Sequence, residues 1–325
     1  MRKFVFVVLM IILSGYFYAA DFDTMTNEMA SILKKGAETV SMEMKKHLGF
    51  YTGSGNIFPA NTSQFLGLKF GLGGGVVLNS ILFKAMSDPN VLVPNTGSKN
   101  EGDLSKYLAP IGTFPIPYNM IYGKVGLPFI DLDVGLRLGY FPRVDTGGTD
   151  YRIGWDSFHF GLEGRYLLWK DPTGLIKVDA RLSGDFNYGN IMLSTKFTQE
   201  AYAGNTVIGT NENVSTFGLM WGGSSWGVKV VGGFNIPIVG SIYGGIGANL
   251  NFGAVNTRLG FDTKFKPTLG SEISYSLEGN SEIAYDLFDL RLLVGANIFF
   301  VNIGYEYNLL NGDMAVTIIP IALTF

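Results

Sequence analysis

The sequence predicts an all-β fold: a ten-stranded antiparallel transmembrane β-barrel, with twelve strands as the alternative, preceded by one N-terminal amphipathic α-helix. Three observations lead there. Apolar residues make up 47% of the chain and charged ones only 16%, against about 25% charged in ordinary globular domains. Beyond the N-terminus no run approaches the roughly 18 apolar residues of a membrane helix, so the apolar content is spread through short alternating segments. The last of these, Met314–Phe325 (MAVTIIPIALTF), places Ile319, Ile321, Leu323 and Phe325 on one face and Pro320, Ala322 and Thr324 on the other. Lipid offers no water to backbone polar groups, so only helices and closed barrels can span it.

Composition narrows the function classes. A net charge of −3 gives no broad basic surface for nucleic acid. With no cysteine and two histidines, disulfides and Cys-based metal sites are excluded and transition-metal sites are disfavoured; no cofactor is expected. The abundance of Gly, Phe and Tyr suits crowded lumens, turns and interfacial aromatic girdles.

Residues 1–20 read as a signal peptide. Arg2 and Lys3 form a charged start, and Phe4–Leu13 is apolar but too short to span. Residues 21–48 read as an amphipathic helix, with Met25, Met29, Ile32, Leu33, Gly36, Val40 and Met44 forming one stripe. Lys45, Lys46 and His47 complement its C-terminal dipole, and Gly49 is its expected stop. The expected place for this stripe is the periplasmic rim of the barrel; entry into the lumen as a plug is the alternative. Residues 49–63 are a Gly/Pro/Asn-rich linker, and 64–325 the barrel.

The first strand is expected at Gln64–Asn79. Four hairpins with short turns follow: Tyr118–Leu127 with Asp131–Tyr140, Asp156–Leu168 with Leu175–Phe186, Trp226–Asn235 with Ser241–Phe252, and Phe288–Asn297 with Val301–Leu309. Asn311-Gly312 is a strong signal for the last turn. The stretches 80–117, 141–155, 187–225 and 253–287 read as longer polar connections. Short turns then fall on one side and long connections on the other, as in bacterial outer-membrane barrels. Thr216–Trp221 and Ile273–Leu277 also alternate, as extra strands or as extensions. Pro320 cannot donate to a ladder, which predicts a bulge inside the final strand.

Alternation assigns Lys69, Lys124, Asp133, Arg137, His159, Glu163, Arg165, Lys177, Asp179, Arg181, Asp185, Lys229, Arg291 and Glu306 to the lumen. Both signs are mixed, which points to paired charges across the lumen and not to a one-sign ion filter. Trp155, Trp169, Tyr140, Phe141, Trp226, Tyr243 and Tyr305 lie near strand ends, where girdle aromatics belong.

The order of helix, Gly-rich link and hairpins such as GKVGLPFIDLDVGLRLGYFP, FNIPIVGSIYGGIGANLNFG and LRLLVGANIFFVNIGYEYN resembles an uncharacterised family of bacterial outer-membrane barrels, a domain of unknown function. A weaker similarity is to outer-membrane long-chain fatty-acid transporters, which also place an N-terminal hatch before a barrel. The first resemblance implies the cell outer membrane, contact with its lipid, and the barrel-assembly machinery as partner, with Phe325 in the assembly signal. No activity is assigned to that family, so it transfers no site residues.

Ser157, His159 and Glu163 share one face of one strand, but Glu163 is about 13 Å from His159 at roughly 3.3 Å per residue, too far to orient it. No enzyme activity is expected. A barrel of about ten strands is too narrow for a general porin. The expected function is passive transport of a small or hydrophobic solute through a narrow or helix-gated path. The alternatives are a surface binding or structural barrel acting through its outer loops and, remotely, a lipid hydrolase centred on Ser157 and His159.

Overall fold

The computed structural model describes residues 22–55, 68–79, 114–127, 130–148, 150–203 and 206–324. The expected signal peptide, linker residues 56–63, strand residues 64–67, the connection at 80–113 and Phe325 lie outside the described residues. One helix, α1 (Phe22–Thr52), precedes β1 (Leu68–Asn79), β2 (Phe114–Gly126), β3 (Leu132–Gly147), β4 (Tyr151–Lys170), β5 (Ile176–Ala203) and β6 (Thr206–Ile236). There follow β7 (Gly240–Pro267), β8 (Ile273–Ala284), β9 (Phe288–Ile298), β10 (Val301–Asn308) and β11 (Met314–Thr324).

The strands form one antiparallel sheet that closes in a ring of about ten. Neighbours in sequence pair from β1 to β7, β9 pairs with β10, β10 with β11, and β11 returns to β1. Near its start β7 pairs with β9, and further along with β8. Thus β8 and β9 run end to end along one side of β7 and share one place in the ring. Closure pairs strands that an open sheet would leave as exposed edges.

Alternation explains the wall. On β7, Ile242, Ile246, Leu250 and Phe252 point outward, whereas Tyr243, Asn249 and Asn251 are buried inward. On β6, Trp226, Val228, Val230, Phe234 and Ile236 point outward, and Ser225 and Lys229 inward. Ten residue steps, at about 3.3 Å each and a tilt of about 40°, give a belt about 25 Å tall, the height of an outer-membrane apolar band. Tyr140, Phe158 and Tyr188 lie in register across three strands at the belt's upper margin. At the short-turn end, apolar residues project from the turns themselves: Ile130, Ile238, Val239, Phe299 and Phe300 are exposed. Two of these turns are tight enough to put Ile238 and Phe299 at positive φ.

Above the belt, the expected long connections are instead mostly strand. Strands β5, β6 and β7 continue to 28, 31 and 28 residues, so 187–203, 206–225 and 253–267 are wall, as are 141–147 and 151–155. Thr216–Trp221 and Ile273–Leu277 are such extensions and not additional barrel strands. Their outer face carries cross-strand ion pairs, Lys266 with Glu212 at 2.6 Å and Arg258 with Glu278 at 2.5 Å. The wall bends where the belt ends: Gly253 has φ +156, and a Cβ there would strike the Gly222 carbonyl and Tyr285.

Several expectations are corrected. Helix α1 runs through Gly49 to Thr52. Gly49 serves close packing, since a Cβ there would lie 2.8 Å from Asn251. The helix does not sit at the short-turn rim; it packs on the inner faces of β6, β7 and β8 and enters the lumen from the extended end. Trp155 and Tyr243 face inward and not into a girdle: Trp155 packs beside the internal core and stacks on Phe141 at 5.2 Å, and Tyr243 donates to Asn302 at 2.9 Å. Tyr140, Trp169 and Trp226 are exposed on the outer face. In β11, Ile319 and Pro320 together lie opposite the single residue Gly73 of β1, between the pairs Ile318–Gly74 and Ile321–Leu72, a bulge at Pro320. It carries Ile319 to the inner face, where it is buried, opposite to the simple alternation.

Candidate functional site

The site is the lumen, occupied in its upper part by α1 and lined below by side chains of both charge types. The helix stripe differs in detail from the apolar one read in sequence. Leu33, Ala37, Ser41, Met44, His47 and Leu48 are buried, and everything from His47 to Gly55 is enclosed by the barrel. Against it lie Ile191, Leu193, Phe217, Leu219, Trp221 and Val255 of the wall. Small residues bring the backbones together. A Cβ at Gly279 would strike the helix main chain at Leu33 and Lys34, and one at Gly36 would lie 2.9 Å from Leu259. Ser41 donates to Thr257 at 2.8 Å.

Three groups tie the helix to the shorter wall. Lys45 pairs with Asp286 at 3.0 Å, Asn311 donates to the Lys46 carbonyl at 2.6 Å, and His47 Nδ1 lies 2.7 Å from Asp313. His47 is thus a buried partner of a carboxylate, not a surface charge on the helix dipole. Burial of Asp313, in the β10–β11 turn, pushes its carboxyl above the usual range.

The helix ends on Arg291, rising from β9. Its guanidinium makes a bidentate pair with Asp289 (2.5 and 2.9 Å), reaches Glu306 at 2.9 Å, and donates to the Phe50 carbonyl at 3.1 Å. It also stacks over the Phe50 ring at 4.5 Å. A cation on the last carbonyls suits the negative end of the helix. The Thr52 and Ser54 hydroxyls donate to the Leu48 and Phe50 carbonyls, and the Gly55 N–H donates to Glu306 at 3.2 Å. Tyr51 packs edge-on to Trp221 and Tyr118.

Below this lies a belt of charges. Arg165 and Arg181 are paired in register, as are Arg181 and Lys229. Like charges facing each other are costly, and carboxylates two residues away on the same strands compensate. Arg165 pairs with Glu163, Arg181 with Asp179 at 2.6 Å, and Arg291 with Asp289. Lys124 pairs with Asp133, Arg137 with Asp185 at 2.5 Å, and Lys229 with Glu306 at 3.7 Å. Twelve of the fourteen residues assigned to the lumen are buried, and Lys69 and Lys177 are half-buried at the short-turn mouth. Sequence reading missed Asp289, Asp313, Tyr51, Tyr118, Asn249 and Asn251. The repeated acidic-x-Arg spacing at Glu163, Asp179 and Asp289 was the available signal.

The Ser157 and His159 pair lies within this network. His159 Nε2 is 3.5 Å from Asp185 and Nδ1 is 3.4 Å from Asn187. Glu163 is engaged by Arg165, so no Ser-His-Glu relay is assembled. Among the described residues no group of three or more His, Cys, Asp or Glu is placed to hold a metal.

No family model matches the chain, and no curated protein matches it. Among solved structures, the translocator domain of the autotransporter NalP from Neisseria meningitidis is 10% identical, covering 91% of this chain and 99% of that one at a TM-score of 0.28. The transport unit of the autotransporter AIDA-I from Escherichia coli is 9% identical, covering 89% and 97% at 0.21. A mutant of the Rh. blastica porin is 7% identical, covering 79% and 100% at 0.14. These are partial likenesses; the fold is established by the strand pairing.

Proposed function

We propose that the chain is an outer-membrane β-barrel whose lumen is a transport path gated by α1. The membrane placement is supported by the outward apolar belt, the aromatic row at its margin and the ion-paired face above it. The short-turn end is the periplasmic side and the extended wall rises outside. Helix α1 then runs inward from the exterior and ends inside the lumen, whereas β1 begins near the periplasmic end. Outer-membrane lipid and the barrel-assembly machinery are its partners. The protein is read as non-enzymatic.

The observation that carries the gate reading is the arrangement of the lumen, with α1 seated above a belt of paired charges. A separate element fills its upper part, joined to the wall at its deep end by Arg291, Glu306 and Asp313. A small or hydrophobic solute passes only when that element shifts. The test is a double variant, Ser41→Cys with Thr257→Cys, in a protein otherwise free of cysteine. The two hydroxyls are 2.8 Å apart, within reach of a disulfide. Planar-bilayer recordings should show transient opening steps in the reduced form and none in the oxidised form. Steps that are equal in both forms, or absent from both in a barrel shown folded by heat-modifiable migration, would reject the gate. The second outcome would favour surface binding by the extended β5–β8 wall.

A further inference from the structure

Glycine takes the left-handed position in two turns of the sheet, Gly174 between β4 and β5 (φ +72) and Gly312 between β10 and β11 (φ +78). Two turns at the short-turn end use bulky apolar residues instead. Between β6 and β7 the Val239 N–H donates to the Ile236 carbonyl at 3.2 Å, and Ile238, following Pro237, has φ +71. Between β9 and β10, Phe299 and Phe300 make up the whole turn, and Phe299 has φ +53. Glycine or asparagine ordinarily stands at such positions, because a branched or bulky side chain strains the backbone there. A strained residue of this kind points to a use for its side chain.

The two turns are neighbours, since the Phe299 N–H donates to the Val239 carbonyl at 2.9 Å. Ile238 is 96% exposed, and Val239, Phe299 and Phe300 are exposed with it. No charged residue occurs from Ile236 to Gly240 or from Ile298 to Val301. Next to the turns, Ile236, Ile242 and Ile298 are outward and exposed, so the apolar surface of the belt continues to the tips of both turns. The β4–β5 turn is of the opposite kind: the Asp171 carboxylate accepts from the Thr173 and Ile176 N–H groups at 3.1 and 2.7 Å.

We propose that Ile238, Val239, Phe299 and Phe300 anchor one sector of the short-turn end in lipid, entering the headgroup–acyl boundary of the leaflet on that side. Continuity argues for this occupant. The patch prolongs a belt that the membrane reading sets against acyl chains, and its two turns supply none of the charged groups expected in the polar rim of a protein interface. The proposal rests on that membrane reading and extends it, because lipid contact reaches past the belt on one sector only. That sector includes β6 and β7, on which α1 packs, and β9, whose Arg291 holds the helix end.

The chain has no cysteine, so single variants accept one nitroxide label each. Ile238→Cys and Phe300→Cys report the patch, Ile246→Cys the belt and Thr173→Cys the polar turn. Each labelled protein, shown folded by heat-modifiable migration, is placed in vesicles of phosphatidylethanolamine and phosphatidylglycerol. Spin relaxation by oxygen, which collects in lipid, is compared with relaxation by a water-soluble nickel chelate. The oxygen-to-nickel ratio at positions 238 and 300 should exceed that at 173 several-fold and approach that at 246. Water-like ratios at 238 and 300 with a lipid-like ratio at 246 would overturn the anchor and leave the barrel standing. Water-like ratios at all four positions would overturn both. Dipolar broadening between labels at position 238 that vanishes on dilution with unlabelled protein would also overturn the anchor, by assigning the patch to a second copy of the chain.

Discussion

Replacing Arg291 by Met tests whether the helix end and the charge belt are one unit. Met keeps the length of the apolar stem but deletes the donors to Asp289, Glu306 and the Phe50 carbonyl. Asp289 and Glu306 are both buried, and stripping one partner from a buried ion pair costs about 3–5 kcal/mol. Some compensation survives. Asn251 still donates to Asp289 at 2.9 Å, and Glu306 keeps Lys229 at 3.7 Å and the Gly55 N–H at 3.2 Å. The lower end, about 3 kcal/mol, is therefore expected, roughly a hundredfold in the unfolding equilibrium. Urea unfolding followed by tryptophan fluorescence reads it directly. Adding Asp289→Leu to Arg291→Met removes the orphaned carboxylate and should recover more than half of the loss. A single variant within about 1 kcal/mol of wild type, or a double variant no better than the single one, would refute the claim that unpaired buried charge sets the energetics.

Two further outcomes follow from packing and charge. Gly279→Ala should cost about 1–3 kcal/mol, because the methyl meets helix backbone that has no flexible end to yield. Gly164→Ala, with nothing within 4 Å of the new atom, should be nearly neutral in the same urea assay. At the extended end of the β6–β7 pair, the hydrogen bond and charge of Lys266 hold the Glu212 carboxyl below its usual range. A depressed carboxylate contributes stability above its unfolded value, about 4.3, and loses it as pH falls through the folded value. Hydrogen-exchange protection factors, with the intrinsic pH dependence divided out, should therefore fall at Asn211–Ser215 in that acid window while those of the belt are kept; an equal fall in both regions would contradict the local assignment.

Much of the barrel was legible because its outer and inner faces carry opposite chemistry on alternate residues. On β5, Leu182 and Phe186 alternate with Arg181, Ser183 and Asp185, and no helical or loop pattern does that. The extended wall was missed because its polarity is inverted. On β6 the outward apolar residues of the belt are even-numbered, Trp226 to Ile236, whereas above it Phe217, Leu219 and Trp221 are odd-numbered and inward. The period of 2 persists while its phase switches, so a template seeking apolar-out strands reads the upper segment as a polar connection. Gly49 misled for a related reason. Glycine ends helices through its backbone freedom, but here it admits Asn251, a partner invisible in local sequence. The Pro320 bulge followed from the missing donor alone, but not its effect on Ile319, since an inserted residue reverses the facing of its neighbours.

The phase inversion of the wall and the stripe of the helix express one physical requirement. Once the inner faces of β5–β7 turn apolar above the belt, they need a cover that water cannot provide. Leu33, Ala37, Met44 and Leu48 supply it from a single helix face. Lower down, where the inner face returns to Ser225, Asn249, Asn251 and Arg291, an apolar helix would strand those groups without partners. At that level the chain presents helix-terminal carbonyls, hydroxyls and the glycines Gly53 and Gly55, with the Phe50 ring stacked under the Arg291 guanidinium. The depth at which α1 ends is thus set by the height at which the lumen changes polarity. Moving the helix by one turn, about 5.4 Å, would set apolar side chains against the charge belt and the carbonyls of its last turn against apolar wall. A helix matched to the wall in this way has one seated position in the lumen.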